Sequence, residues 1–152
     1  MAKDEFPSWD KILVPFDGSK DSRKAVRFAS AISLEHGSQV TILHVYSVPY
    51  YTMGPLGLPQ TSFGELEQAA KDTAAEVVSR GVTLAAEMGV HARSETVQSG
   101  SIVESIVDFA DAEGFDLIVM GTRGNTGFRK LLLGSVSTGV VAQAKCPVTI
   151  VR

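Results

Sequence analysis

The chain has 152 residues, 44% of them apolar and 20% charged, with a formal net charge of −3, which describes one ordinary globular domain long enough to bury a core. Its single cysteine, Cys146, excludes a disulfide framework or a cysteine-based zinc cluster, and no apolar run approaches the roughly 18 residues of a membrane span. The first ten residues mix Lys3, Asp4, Glu5 and Asp10 without an apolar stretch, so no signal peptide is expected and a cytoplasmic location is the default.

In chain order, residues 11–16 (KILVPF) form a buried-strand run, and Asp17-Gly18-Ser19 supplies turn chemistry. Residues 21–35 carry Ala25, Phe28, Ala29 and Ile32 at helical spacing, with Gly37 placed to end the helix. Residues 40–48 are rich in β-branched side chains and read as the second strand. The segment from Pro49 to Gly64 holds three prolines and three glycines without periodicity; it reads as a disordered connector or as a lid or partner-binding loop. Residues 65–88 place Leu66, Ala70, Ala74, Val77, Gly81, Leu84 and Met88 on one helical face. Gly81 marks either close packing or a break into two helices.

Residues 90–97 read as the third strand. Ser101-Ile102-Val103-Glu104 has the form of a capping box and opens a helix that runs to Glu113, with Gly114 at its end. Residues 117–120 are a fully apolar fourth strand, residues 121–134 a glycine-punctuated loop, residues 136–144 a short helix and Val148–Val151 a fifth strand. Alternation of this kind predicts an α/β fold with a parallel sheet covered by helices on both faces. Right-handed crossovers put the carboxyl ends of all strands on one edge, where ligands bind.

Position carries more information than totals. Up to Asp116 there are 17 acidic against nine basic residues, a charge of −8, whereas the remainder holds five basic residues and no acid, a charge of +5. Segregation of this kind favours an anionic partner for the last quarter. A small phosphorylated ligand fits better than nucleic acid, given a pI near 5.6 and no interleaved aromatics. Five of the 14 glycines (Gly121, Gly124, Gly127, Gly134 and Gly139) also fall there. The loop they form either cradles phosphate, with Ser135 and Ser137 adding hydroxyls at a helix start, or is a flexible loop with a basic tip. It is neither a P-loop nor a G-x-G-x-x-G fingerprint.

Gly121-x-x-Gly124, nine residues, then Gly134-Ser135 resembles the G-2x-G-9x-G-[ST] signature of the nucleotide-binding branch of the universal stress protein family. ILVPFDGS at residues 12–19, VTILHV at 40–45, DLIVMG at 116–121 and CPVTIV at 146–151 extend the resemblance over nearly the whole chain. It implies a single three-layer Rossmann-like domain (adenine nucleotide alpha hydrolase-like) spanning residues 1–152, with a five-stranded parallel sheet of order 3-2-1-4-5. It further implies ATP, or another adenine nucleotide, between the first and fourth strands. Pro15 and Asp17 would flank the nucleotide, Val40 would hold the adenine by its main chain, and Met120 would pack nearby. Gly121, Gly124, Gly134 and Ser135, with Val136 and Ser137, would line the ribose and phosphates. A homodimer through the Val148–Val151 edge is also implied.

Asp17 beside a polyphosphate calls for a Mg²⁺ or Mn²⁺ bridge or a hydroxyl donor; otherwise it orders its own turn. His44 reads as a hydrogen-bonded core histidine, and Cys146 as an inert thiol. His36 and His91 lack metal-ligand spacing. Three functions follow: a regulatory ATP-binding homodimer in stress response, a slow ATPase or phosphotransferase, or a nucleotide-free dimeric interaction module. No general base placed for in-line attack can be named, which disfavours an enzyme. Neither nucleic acid nor membrane is an expected partner.

Overall fold

A computed structural model describes residues 8–48, 62–122 and 133–152. Within them nine elements alternate: β1 (Lys11–Pro15), α1 (Lys20–His36), β2 (Gln39–Tyr46), α2 (Phe63–Glu87), β3 (Arg93–Gln98), α3 (Ile102–Glu113), β4 (Leu117–Gly121), α4 (Ser135–Gln143) and β5 (Val148–Val151). The strands form one parallel sheet of order β3-β2-β1-β4-β5. The α/β architecture expected from the alternation of elements, and the strand order implied by the resemblance, are thus observed.

Strand parity builds the two outer layers. Ile12, Val14, Val40, Ile42, Leu117 and Val119 point to one face and pack with Ala25, Val26 and Ala29 of α1 and Val78 and Ala85 of α2. Leu13, Leu43, Val45, Ile118 and Met120 point to the other and pack with Ile106 and Ala110 of α3 and Val140 of α4. Apolar residues on both faces of β1, β2 and β4 are what a strand covered from both sides requires.

Close packing explains two features of the helices. Gly81 lies inside an unbroken α2, and a Cβ there would stand 2.7 Å from Ile42 Cγ2, so the helix approaches β2 where no side chain intervenes. On α1 the buried positions are Ser22, Ala25, Val26, Ala29 and Ser30. These small side chains bring the helix down onto the sheet and leave Phe28 at its margin, 44% exposed rather than in the core.

Two local expectations are corrected. The S-x-x-E at Ser101 makes no side-chain cap: the Ser101 N–H that Glu104 would accept donates instead to Ser99 Oγ at 3.1 Å. A capping box with both bonds forms at Ser62 and Glu65, opening α2. The third strand begins at Arg93 rather than residue 90 and is largely solvated, because β3 is an edge. Of the segment 49–64, residues 62–64 are the N-cap and first residues of α2; the connector and lid readings of the remainder lie outside the described residues. No helix among the described residues is long and apolar enough to cross a membrane.

Candidate functional site

β1 and β4 are neighbours in the sheet, although β1 leads into a helix on one face and β4 into a helix on the other. Their carboxyl ends therefore diverge and leave a crevice. A cavity of about 280 Å³ occupies it, close to the lower end of the size range for small-molecule sites.

The cavity has an apolar and a polar end. Leu43, Val45, Ile106 and Met120 supply apolar wall from the α3/α4 side of the sheet, and Ile102, 44% exposed, stands at the start of α3. Asp17 enters from the β1–α1 turn and Ser22 from the first turn of α1, and Gly134, Ser135, Val136 and Ser137 from the start of α4. Among the described lining residues Asp17 is the one carboxylate.

The two helix starts differ. At α1, Ser19 Oγ accepts the Ser22 N–H at 3.2 Å, and Ser22 Oγ donates back to the Ser19 carbonyl at 3.0 Å. At α4 the N-cap is Gly134, and there is no side-chain cap bond. The amides of Ser135, Val136 and Ser137 are the first-turn donors that a helix leaves without intrahelical partners, and they carry the positive end of the helix dipole. An anion at the polar end of the cavity would meet them.

Asp17 contributes to the local structure through its Oδ1, which accepts the Ser19 N–H at 2.9 Å and orders the turn around Gly18, whose φ is +80°. The same carboxyl lines the cavity, so the turn role and a ligand role are compatible. Ser137 is engaged as well. Its buried hydroxyl donates toward the Gly121 and Thr122 carbonyls at 2.9 and 3.1 Å. That hydroxyl, which the sequence offers as a donor to phosphate, here ties α4 to the end of β4. His44 Nδ1 lies 2.8 Å from the Phe16 carbonyl; a carbonyl only accepts, so Nδ1 bears the hydrogen.

Pro15, Asp17, Met120, Gly121, Gly134, Ser135, Val136 and Ser137 thus come together around one cavity. Val40 does not. It is the second residue of β2, paired with Ile12 and fully buried, five residues upstream of Val45, about 16 Å along a strand. In a parallel sheet the amino ends of the strands lie on the edge opposite the cavity, so the Val40 main chain is not available to an adenine there. The β2 residues that reach the cavity are Leu43, His44 and Val45. Applying the carboxyl-end rule to β2 as well as to β1 and β4 would have selected them. Ile102 and Ile106, also missed, follow from the same rule applied to the helix after β3. Gly124 lies outside the described residues. Among the described residues no group of three or more His, Cys, Asp or Glu could hold a metal.

A sequence profile described as "Universal stress protein family" matches residues 8–152. A universal stress protein of Methanocaldococcus jannaschii is 36% identical over 145 residues, covering 95% of this chain and 82% of that protein. Among solved structures, universal stress protein UspA from Lactobacillus plantarum is 27% identical with a TM-score of 0.76, covering 95% of this chain and 98% of the other. A universal stress protein solved in complex with cAMP shares the fold, at 23% identity and a TM-score of 0.72, covering 95% and 98% of the two chains.

Proposed function

The chain belongs to the universal stress protein family, and from that premise we propose that it is a regulatory adenine-nucleotide-binding protein of the ATP-binding branch, acting in stress response. The observation that carries this reading is the start of α4: three first-turn amides without a side-chain cap, facing a cavity whose other end is apolar. An adenine matches the apolar wall, and a phosphate matches the helix start. A protein of the same fold holds cAMP, so this architecture accommodates an adenine nucleotide.

The described lining residues fit a divalent cation in one way. A single carboxylate, Asp17, cannot make a resident metal site, but Mg²⁺ or Mn²⁺ commonly takes one or two carboxylates and completes its shell with phosphate oxygens and water. Asp17 would then hold a cation that arrives with the polyphosphate and offsets its charge. The reading is one of binding rather than turnover, and an ATP hydrolysis rate far below about 1 s⁻¹ is expected.

Isothermal titration with ATP, ADP and AMP tests the proposal, together with mass spectrometry of nucleotide released when the purified protein is denatured. Absence of both heat and thermal stabilisation at millimolar nucleotide would refute it. We further propose a homodimer through β5. This strand is an edge, paired only with β4 among the described strands, and its four residues VTIV carry no charge to deter pairing. A monomer in sedimentation at micromolar concentration would overturn that assignment.

A further inference from the structure

Thr122, the residue after β4, joins three parts of the site without lining the cavity. Its Oγ1 donates to Asp21 Oδ2 in the first turn of α1 at 2.8 Å. Its carbonyl accepts the N–H of Gly134, the N-cap of α4, at 2.7 Å, and the Ser137 hydroxyl at 3.1 Å. One peptide thereby holds the cap of the helix whose start faces the cavity and shares with the Gly121 carbonyl, 2.9 Å away, the hydroxyl of its third residue. Asp21 is itself well placed to anchor it. Its side chain is only 14% exposed, Lys24 Nζ stands 4.0 Å from its other oxygen, and a hydrogen bond to an ionised carboxylate is stronger than one between neutral groups.

We propose that Asp21 and Thr122 are positioning residues for the phosphate end of the site: the Asp21–Thr122 hydrogen bond orients the Thr122 peptide, and that peptide aims the first turn of α4 into the cavity. This rests on the nucleotide-binding reading above and assigns it two residues that do not line the cavity. A donor array gains from being held in place before the ligand arrives, because binding then need not supply the free energy of orienting it. The adenine end, built from β2, α3 and β4 side chains, lies outside this chain of bonds. Loss of the pair should therefore weaken recognition of phosphate and spare recognition of the nucleoside.

The experiment compares adenosine with AMP by isothermal titration for the wild type, Thr122→Val, Thr122→Ser, Asp21→Ala and Asp21→Asn, with a thermal melt of each. Thr122→Val keeps the shape and removes the hydroxyl; Thr122→Ser keeps the hydroxyl. Asp21→Asn retains an accepting oxygen and Asp21→Ala does not. The expected result is a wild type that prefers AMP, with that preference falling by about fivefold or more in Thr122→Val and Asp21→Ala. Adenosine affinity should stay within about twofold, and Thr122→Ser and Asp21→Asn should restore the preference. A Thr122→Val protein that keeps the wild-type preference overturns the positioning role and leaves the nucleotide reading intact. Equal loss of adenosine and AMP in Thr122→Val makes the role a general structural one and likewise overturns the proposal. A wild type that binds AMP no better than adenosine overturns the phosphate reading of α4 and the proposal with it.

Discussion

A Cβ added to Gly121 would stand 2.7 Å from the backbone carbonyl carbon of Asp21 and 2.9 Å from its oxygen. The end of β4 and the first turn of α1 touch there, backbone to backbone. Glycine at 121 is required by helix–strand packing whether or not a phosphate ever approaches it. Gly139 comes similarly close to α3, though to a side chain: a Cβ there would meet Val103 Cγ2 at 2.8 Å.

Gly121→Ala is therefore expected to destabilise the ligand-free protein. Backbone atoms cannot rotate aside as a side-chain tip can, so an overpacking cost of about 1–3 kcal/mol applies. For a chain of this length that is a drop in Tm of about 2–4 °C per kcal/mol. A urea or thermal melt without nucleotide checks it. An unchanged melt would mean that the contact relaxes freely and that Gly121 answers only to a ligand.

Asp17→Asn separates the turn role of that residue from its ligand role. The amide keeps an oxygen able to accept the Ser19 N–H now held at 2.9 Å, so the turn and the melting temperature should hold to within about 1 kcal/mol. The charge is lost. ATP affinity in the wild type should rise on adding Mg²⁺, that rise should disappear in Asp17→Asn, and AMP should respond weakly in both. Titrations with Mg²⁺ and with EDTA provide the measurement; an undiminished Mg²⁺ effect in the variant would remove Asp17 from the cation site.

Cys146 packs against the α3/α4 core, and burial pushes its thiol above the ordinary range, with the Asp116 and Asp111 carboxylates adding to the rise. At pH 8.5 the folded protein then holds less thiolate than an unfolded chain, and only thiolate attacks an alkylating agent. Iodoacetamide should label the native protein more slowly than the same protein in denaturant. By linkage, the folded state keeps this proton more tightly. The associated stability is present in full below the unfolded thiol pKa, about 8.5, and is lost as pH rises through the higher folded value. Equal labelling rates at pH 8.5 would contradict the shift.

The fold is legible in the sequence because its signals are collective. Runs of apolar residues over β1, β2 and β4, separated by helical spacing, admit few arrangements other than a doubly covered parallel sheet, and β1 beside β4 follows from the resemblance. Features set by single contacts are not legible. Ser101 and Glu104 have the spacing of a capping box, yet Ser99, outside that motif, takes the donor. Phe28 has the right helical phase for the core, yet the small residues beside it bring α1 too close to the sheet to leave room beneath it. At the site the glycine spacing locates the loop and the helix start, whereas Val40 belongs to the wrong end of its strand. Residue type alone makes Ser137 a hydroxyl donor to a ligand, and only its tertiary contacts reveal that the hydroxyl is already engaged.

Ser135→Pro offers the sharpest test of the α4 amides. Ser135 is the first residue of the helix, where proline is well tolerated because the N–H it lacks has no intrahelical partner. The preceding residue must be extended, and Gly134 already is, at φ −63° and ψ 161°. The substitution thus deletes one amide donor and one hydroxyl from the polar end of the cavity at little cost to the fold, and the melt should shift by no more than about 1 kcal/mol. Ser135→Ala deletes the hydroxyl alone. If the amide receives phosphate, Ser135→Pro should lose about tenfold in AMP affinity, with Ser135→Ala losing less and adenosine unaffected. A Ser135→Pro protein that melts normally and binds AMP like the wild type would show that the anion, wherever it sits, is not held by the start of α4.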